Sequence, residues 1–257
     1  MAVEPVYGTV IQLARLIWRI QGLKITVCGV EHLPASGGAV IAINHTGYLD
    51  FTFAGLPAYE QGLGRKVRFM AKQELFDDKI TGPLMRSARH IPVDRQDGAA
   101  SYEAAVRNLK DGELVGVYPE ATISRSFEIK ECKSGAARMA VEAGVPIIPH
   151  IVWGAQRIWT KDHPKKLLHP KVPIAVLVGE PIEPTLETAE LSGLLHSRMQ
   201  HLLERAQEQY GPHPAGEFWV PRRLGGGAPS LAEAARLDAE EAAARAARRA
   251  QAAGAPE

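Results

Sequence analysis

Cysteine is nearly missing from this sequence, with two in 257 residues. Cys28 and Cys132 lie far apart and share no metal-ligand spacing. That argues against a disulfide scaffold and a zinc site, and fits reduced thiols in a cytosolic protein. An excess of charge of one sign is missing too: 30 Lys and Arg stand against 29 Asp and Glu, for a net charge of +1. A globally basic nucleic-acid binder is therefore excluded, although local patches remain open. No uncharged apolar run reaches about eighteen residues, so no membrane-spanning helix is expected. Arg15 and Arg19 break the apolar part of the N-terminus, so it does not read as a signal peptide. No internal repeat and no cluster of metal-ligating side chains stands out.

What is present suits one sizeable α/β domain, since the composition is 46% apolar. Apolar runs at 24–28, 39–43, 67–71, 114–118, 145–153 and 174–178 read as strands, with a short extended piece at 90–95. Between them, residues 50–59, 101–110, 134–143 and 191–210 read as helices, and 75–89 as a helix interrupted at Gly82-Pro83. This alternation predicts a single domain over residues 24–224, with a largely parallel central sheet flanked by helices. Residues 1–23 precede it as an amphipathic helix. Its apolar face carries Val10, Leu13, Ala14, Ile17, Trp18 and Ile20, and its polar stripe carries Gln12, Arg15 and Arg19. Trp18 and the two arginines suit a helix lying in a membrane interface, and the same pattern suits a helix packed on the domain. Residues 225–257 collapse to Ala, Arg and Glu, and read as a mobile or partly helical tail outside the domain.

The chemistry starts at Asn44-His45-Thr46-Gly47-Tyr48-Leu49-Asp50, directly after the strand at 39–43. His45 is the side chain whose proton affinity lies nearest neutrality. Asp50 can fix its tautomer, provided the segment between them is a turn. A helix through both would rotate about 500° from one to the other and point them apart. Gly47 is expected to supply the backbone freedom, and Asp50 to open the next helix.

In a parallel sheet, ligands gather outside the carboxyl ends of the strands. That rule brings Lys72, Arg95 and Glu120 to the same edge as His45, because each follows its own strand. A base, an orienting acid and several cations on one rim describe an enzyme acting on an anionic substrate, with Lys72 and Arg95 as phosphate ligands.

Four ordered blocks then carry a resemblance: Asn44-His45-x4-Asp50; Ile91-Pro92-Val93-Asp94-Arg95; Val117-Tyr118-Pro119-Glu120-Ala121-Thr122; and Val145-Pro146-Ile147-Ile148-Pro149. Together they resemble the glycerolipid acyltransferases, and within them those that acylate 1-acyl-glycerol-3-phosphate. The resemblance covers about residues 24–180. It implies transfer of a fatty acyl group from acyl-CoA or acyl carrier protein to the hydroxyl of lysophosphatidic acid, giving phosphatidic acid, with no separate cofactor. His45 would be the general base and Asp50 its support, while Arg95 and Glu120 would serve acceptor recognition. The absence of a G-x-S-x-G elbow agrees with direct attack by the acceptor.

The third block departs from the family's F-P-E-G-T-R-S. Ala121 stands for its glycine and Ile123 for its arginine. Thr122 is kept as a substrate-binding candidate. Arg125 is either the replacement cation or a solvated loop charge, and Lys133 either a compensating lysine or a helix-start residue. The resemblance further implies a peripheral enzyme on the cytoplasmic face of a membrane. Alternatives are an acyltransferase for glycerol-3-phosphate, another lysophospholipid or a glycolipid, and a non-catalytic lipid-binding protein on the same fold.

Overall fold

A computed structural model describes residues 5–59, 64–94 and 98–253. Arg95 and most of the turn at Gln61–Gly64 lie outside these described residues. Seven strands build one sheet: β1 (Lys24–Cys28), β2 (Ala39–Ile43), β3 (Val67–Lys72), β4 (Ile91–Val93), β5 (Leu114–Val117), β6 (Ile147–Trp153) and β7 (Pro173–Val178). Their order across the sheet is β1-β7-β6-β2-β5-β3-β4. From β6 to β4 all neighbours are parallel, as expected. At the other side β7 runs antiparallel to β6 and parallel to β1, so that pair is reversed.

Alternation along each strand explains the layers. Val40, Ala42, Val115, Val117, Ile147 and Ile151 point to one face, where α6 (Gly98–Lys110), α7 (Gly135–Ala143) and α8 (Thr188–Tyr210) pack. Ala39, Ile41, Ile43, Leu114, Ile148 and Val152 point to the other. There they meet α1 (Pro5–Ile20), α2 (Asp50–Ala54) and α3 (Leu56–Tyr59). Because both faces are covered, β2 is buried throughout and reads as an unbroken apolar run.

Two helical segments are divided differently from the sequence reading. Residues 50–59 form two short helices, broken at Gly55. The 75–89 segment divides into α4 (Gln73–Asp77) and α5 (Thr81–Ser87), with the break before Gly82-Pro83 rather than at it. Asp78 makes that break, since its Oδ1 accepts the N–H groups of Ile80 (2.9 Å) and Thr81 (2.8 Å). Pro83 then falls in the first turn of α5, where a missing N–H costs no helix bond.

Both ends of the chain correct the sequence reading further. Trp18 is no interfacial anchor: it is 9% exposed and stacks on Phe53 with centroids 4.9 Å apart. The exposed apolar stripe of α1 is instead Leu13, Leu16, Ile17 and Ile20, each at least 45% exposed. At the other end, residues 231–253 form a helix, α9 (Leu231–Ala253), which lies against the domain through ion pairs rather than outside it. It is capped by Ser230, whose Oγ and N–H both reach Glu233 Oε2. Ala228 and Ala234 are buried against the domain. Composition hid this contact, because a single alanine can seat a helix closely and because the acidic residues of α9 have partners on the body. Among the described residues, no helix is long and apolar enough to cross a membrane.

Ile41 sits at the centre of this arrangement, fully buried on β2 between the neighbouring strands β5 and β6. Ile41→Ala is expected to lower unfolding stability by about 2–5 kcal/mol in urea titration, through lost burial and the cavity left behind.

Candidate active site

The peptide after β2 is pinned before it turns. Asn44 is fully buried, and its amide continues the sheet with side-chain atoms. Its Oδ1 accepts the N–H of Val152 at 2.7 Å, and its Nδ2 donates to the Val152 carbonyl at 3.1 Å. A carboxamide can do both because it carries a donor and an acceptor side by side, like a peptide. This task was not read from the sequence. A polar residue at the end of a buried strand was the only available signal.

The turn that follows is built on one carboxylate. Asp50 opens α2 and is fully buried. Its Oδ2 accepts the N–H of Thr46 (2.7 Å), the N–H of Gly47 (2.8 Å) and His45 Nδ1 at 3.2 Å. An ionised carboxylate only accepts, so Nδ1 is the protonated nitrogen and Nε2 is left with its lone pair. The ring is held on a second side by Tyr118, stacked at 3.9 Å and 19°. Burial and the nearby Asp50 charge keep the Tyr118 phenol well above its usual pKa, so it stays neutral. His45 retains 19% side-chain exposure, enough for a ligand to reach it.

Gly47 serves differently from expectation. It does not adopt a left-handed conformation. A Cβ there would meet the Trp159 carbonyl oxygen at 2.7 Å, so the glycine permits close approach of the loop after β6. That loop is tied on by Tyr48 N–H to the Trp159 carbonyl (3.1 Å) and by Thr160 Oγ1 to the Thr46 carbonyl (2.6 Å).

On the other side stands the long irregular segment 118–134 after β5, the strand next to β2. Structureless stretches of this length are uncommon in compact domains and usually functional. Glu120 is 4% exposed and joins it to the histidine: Oε1 accepts the His45 N–H (2.8 Å) and Oε2 the Lys130 N–H (3.0 Å). Burial pushes the Glu120 carboxyl up to about 8, while those two amides and the Lys130 ammonium oppose the shift. The expected substrate ligand is thus first a clamp between two loops, with both oxygens already engaged. Ala121, where the family pattern has glycine, adopts φ 60°. The left-handed conformation costs an L-residue roughly 1–2 kcal/mol, which gives the glycine preference its physical reason.

The cations sort themselves unexpectedly. Lys72 ends β3 at the same sheet edge, two strands from β2, and is exposed. Arg95 lies outside the described residues. Ile123, where an arginine was anticipated, is buried at 3% exposure. Arg125 is near the site but is not open: Nε meets Asp162 at 2.6 Å, Nη1 meets Asp238, and Nη2 meets Glu241 at 2.9 Å. Lys133 points into solvent, 66% exposed and 3.9 Å from Glu131. The ammonium beside Thr122 belongs instead to Lys130, which donates to the threonine hydroxyl and to Asp238. Lys161 reaches Glu241 at 2.9 Å. Lys130, Lys161 and Asp162 were all missed, since no spacing sets them apart from other loop charges. Among the described residues no cluster of His, Cys, Asp and Glu could hold a metal ion.

The chain as a whole is similar to known proteins. The family model described as Acyltransferase matches residues 24–153. The 1-acyl-sn-glycerol-3-phosphate acyltransferase of Bacillus subtilis is 32% identical over 159 residues, covering 62% of this chain and 73% of that protein. That of Limnanthes douglasii is 31% identical, covering 60% of this chain and 53% of that protein. The crystal structure of the 1-acyl-sn-glycerophosphate acyltransferase PlsC from Thermotoga maritima superposes with a TM-score of 0.60 at 20% identity, over 80% of this chain and 90% of that one. At that identity the likeness speaks for the fold.

Glu120 can be tested without substrate. Glu120→Gln replaces one acceptor by a donor facing an amide N–H, at an expected cost of about 1–3 kcal/mol. The deficit should be largest near pH 5 and shrink toward pH 8. The reason is that a carboxyl whose pKa rises from 4.5 to about 8 on folding lends wild type stability that is lost as pH rises through that window. Urea titrations of both proteins at the two pH values check the sign.

Proposed function

The chain belongs to the acyltransferase family, and from that premise we propose that it esterifies lysophosphatidic acid with a fatty acyl group, giving phosphatidic acid. The observation that carries this reading is the His45–Asp50 hydrogen bond, which leaves Nε2 unprotonated at the carboxyl edge of the sheet. His45 Nε2 takes the proton of the acceptor hydroxyl as its oxygen attacks the thioester carbonyl of acyl-CoA or acyl carrier protein. The new C–O bond forms, the C–S bond breaks, and the departing thiolate recovers the proton from the imidazolium. Asp50 stabilises that imidazolium and keeps its ring in place. The step uses no cofactor beyond the acyl donor. Lys72 and Arg95 supply cations for the phosphates of the acyl donor.

An apolar cleft supports a lipid substrate. It holds about 200 Å³ between α1, α2 and α5, lined by Val10, Ile11, Phe51, Leu56, Leu84 and Met85. It runs beside α2, the helix that Asp50 opens. The enzyme docks on the cytoplasmic face of a membrane through α1. One stripe of this helix is packed on the domain through Tyr7, Ala14 and Trp18, while a second stripe of Leu13, Leu16, Ile17 and Ile20 faces outward beside exposed Arg15 and Arg19. An apolar stripe flanked by arginines is the pattern of a helix lying in the headgroup region.

Purified protein with acyl-CoA and a panel of acceptors, read by free thiol release, tests the reaction. His45→Ala should lose about 10²–10⁴ of the rate. Undiminished turnover would dismiss the base, and a preference for glycerol-3-phosphate or a glycolipid would move the activity to another acceptor. Membrane docking has its own check. Replacing Leu13, Leu16, Ile17 and Ile20 together by Asn should leave the fold intact and cut sedimentation with anionic vesicles by roughly tenfold or more, because each buried apolar side chain contributes about 1.5–3 kcal/mol.

A further inference from the structure

Arg125, Lys130 and Lys161 converge from two loops on one spot and are only 9%, 18% and 11% exposed as side chains. What covers them is α9. Asp238 lies against Arg125 and 2.8 Å from Lys130, and Glu241 lies 2.9 Å from both Arg125 and Lys161. Asp162 is the one carboxylate of this group that does not come from α9, and it is 63% exposed.

The cluster is wired to the histidine. Glu120 accepts from the main chains of both His45 and Lys130. Ser124, next to Arg125, donates its N–H to the His45 carbonyl at 2.7 Å. Thr160, next to Lys161, donates to the Thr46 carbonyl at 2.6 Å. Each cation therefore sits on, or beside, a residue bonded to the His45 turn or to the glutamate that clamps it.

Charge indicates the ligand. Without Asp238 and Glu241, three cations would face Asp162 alone, a surplus of two positive charges. A phosphate monoester carries about −1.5 to −2 near neutral pH and accepts several charge-assisted hydrogen bonds at once. Two carboxylates held side by side imitate that load.

The hold of α9 is also of the kind a ligand can replace. Its contact stripe toward the domain is Ala234, Leu237, Asp238 and Glu241; of these only Ala234 is fully buried, and beyond Glu241 the side chains through Arg248 are exposed. The segment before it is anchored firmly by Trp219, Val220 and Ala228. The helix is thus fastened at its base by packing and over the site by ion pairs. The Glu241 carboxyl is pulled down to about 2, chiefly by the Lys161 hydrogen bond, so it stays ionised near neutrality and leaves by displacement rather than protonation. Leu231–Ala253 also lies beyond residues 24–153, the span of the family model.

We propose that Arg125, Lys130 and Lys161 form the site for the acceptor's phosphate monoester, and that Asp238 and Glu241 of α9 occupy this site until the phosphate displaces them. The acceptor part rests on the reaction assigned above; the anion site and its strap do not. The full chain is followed by amide hydrogen exchange over residues 235–248, with inorganic phosphate, lysophosphatidic acid or uncharged monoacylglycerol, each at matched ionic strength. Both phosphate ligands should raise exchange in α9 well above the level that sodium chloride or monoacylglycerol gives at the same ionic strength. In Asp238→Asn/Glu241→Gln the helix should exchange fast without ligand. The acceptor KM should also fall by roughly tenfold with kcat unchanged, if α9 fills the site about nine-tenths of the time. Lys130→Met should blunt the response to phosphate. Release by phosphate in a protein that shows no turnover would support the anion site and reject the acyltransfer reading. Exchange unaffected by phosphate, or equal release by sodium chloride, would overturn the strap, as would an unchanged KM in an active double variant.

Discussion

A carboxylate with no access to water fixes the proposed site. Asp50 can be buried only because the turn offers it two main-chain N–H groups and a ring N–H within 3.2 Å. The same need that brings those donors together orients the His45 ring and selects its tautomer. Geometry and chemistry therefore share one cause. Glu120 repeats the device on the main chain, gathering the N–H of His45 and that of Lys130. One acid holds the ring and the other holds the backbone that carries it. They are coupled, since the Asp50 charge adds to the burial that raises the Glu120 pKa.

The sheet and its polarity were legible because burial on both faces writes unbroken apolar runs into the strands. The carboxyl-end rule then brought His45, Lys72 and Glu120 to one edge, with β2, β5 and β3 adjacent in that order. The H-x4-D turn was legible because a helix could not bring those side chains together. What escaped was every interaction whose partner lies far along the chain. Glu120 looked like a ligand because its two amide donors are invisible in a linear reading. Trp18 looked interfacial until Phe53 appeared beneath it. Arg125 and Lys133 could not be ranked against Lys130 and Lys161, because proximity among loop charges is set by a fold that spacing does not encode.

The two terminal helices attach to the domain by opposite physics. α1 is seated by apolar packing through Trp18 and Ala14 and carries a second apolar stripe outward. α9 is seated by carboxylates on cations with little apolar burial, so its attachment weakens as ionic strength rises. Off the domain a lone helix of this length is only marginally stable in water, so its amides open to exchange once the contact is lost. One end is built to stay on the domain, the other to leave it.

The reversed β1–β7 pair has a practical consequence. Because β1 runs against β2 and β6, its last residue, Cys28, emerges at the edge of the sheet opposite His45. Its sulfur is exposed, whereas the only other thiol, Cys132, is buried and pushed up to about 12. The unaltered chain therefore carries a single addressable thiol, facing away from the turn that holds the histidine. A fluorophore or surface tether attached there would report on the molecule, or hold it, without obstructing that edge.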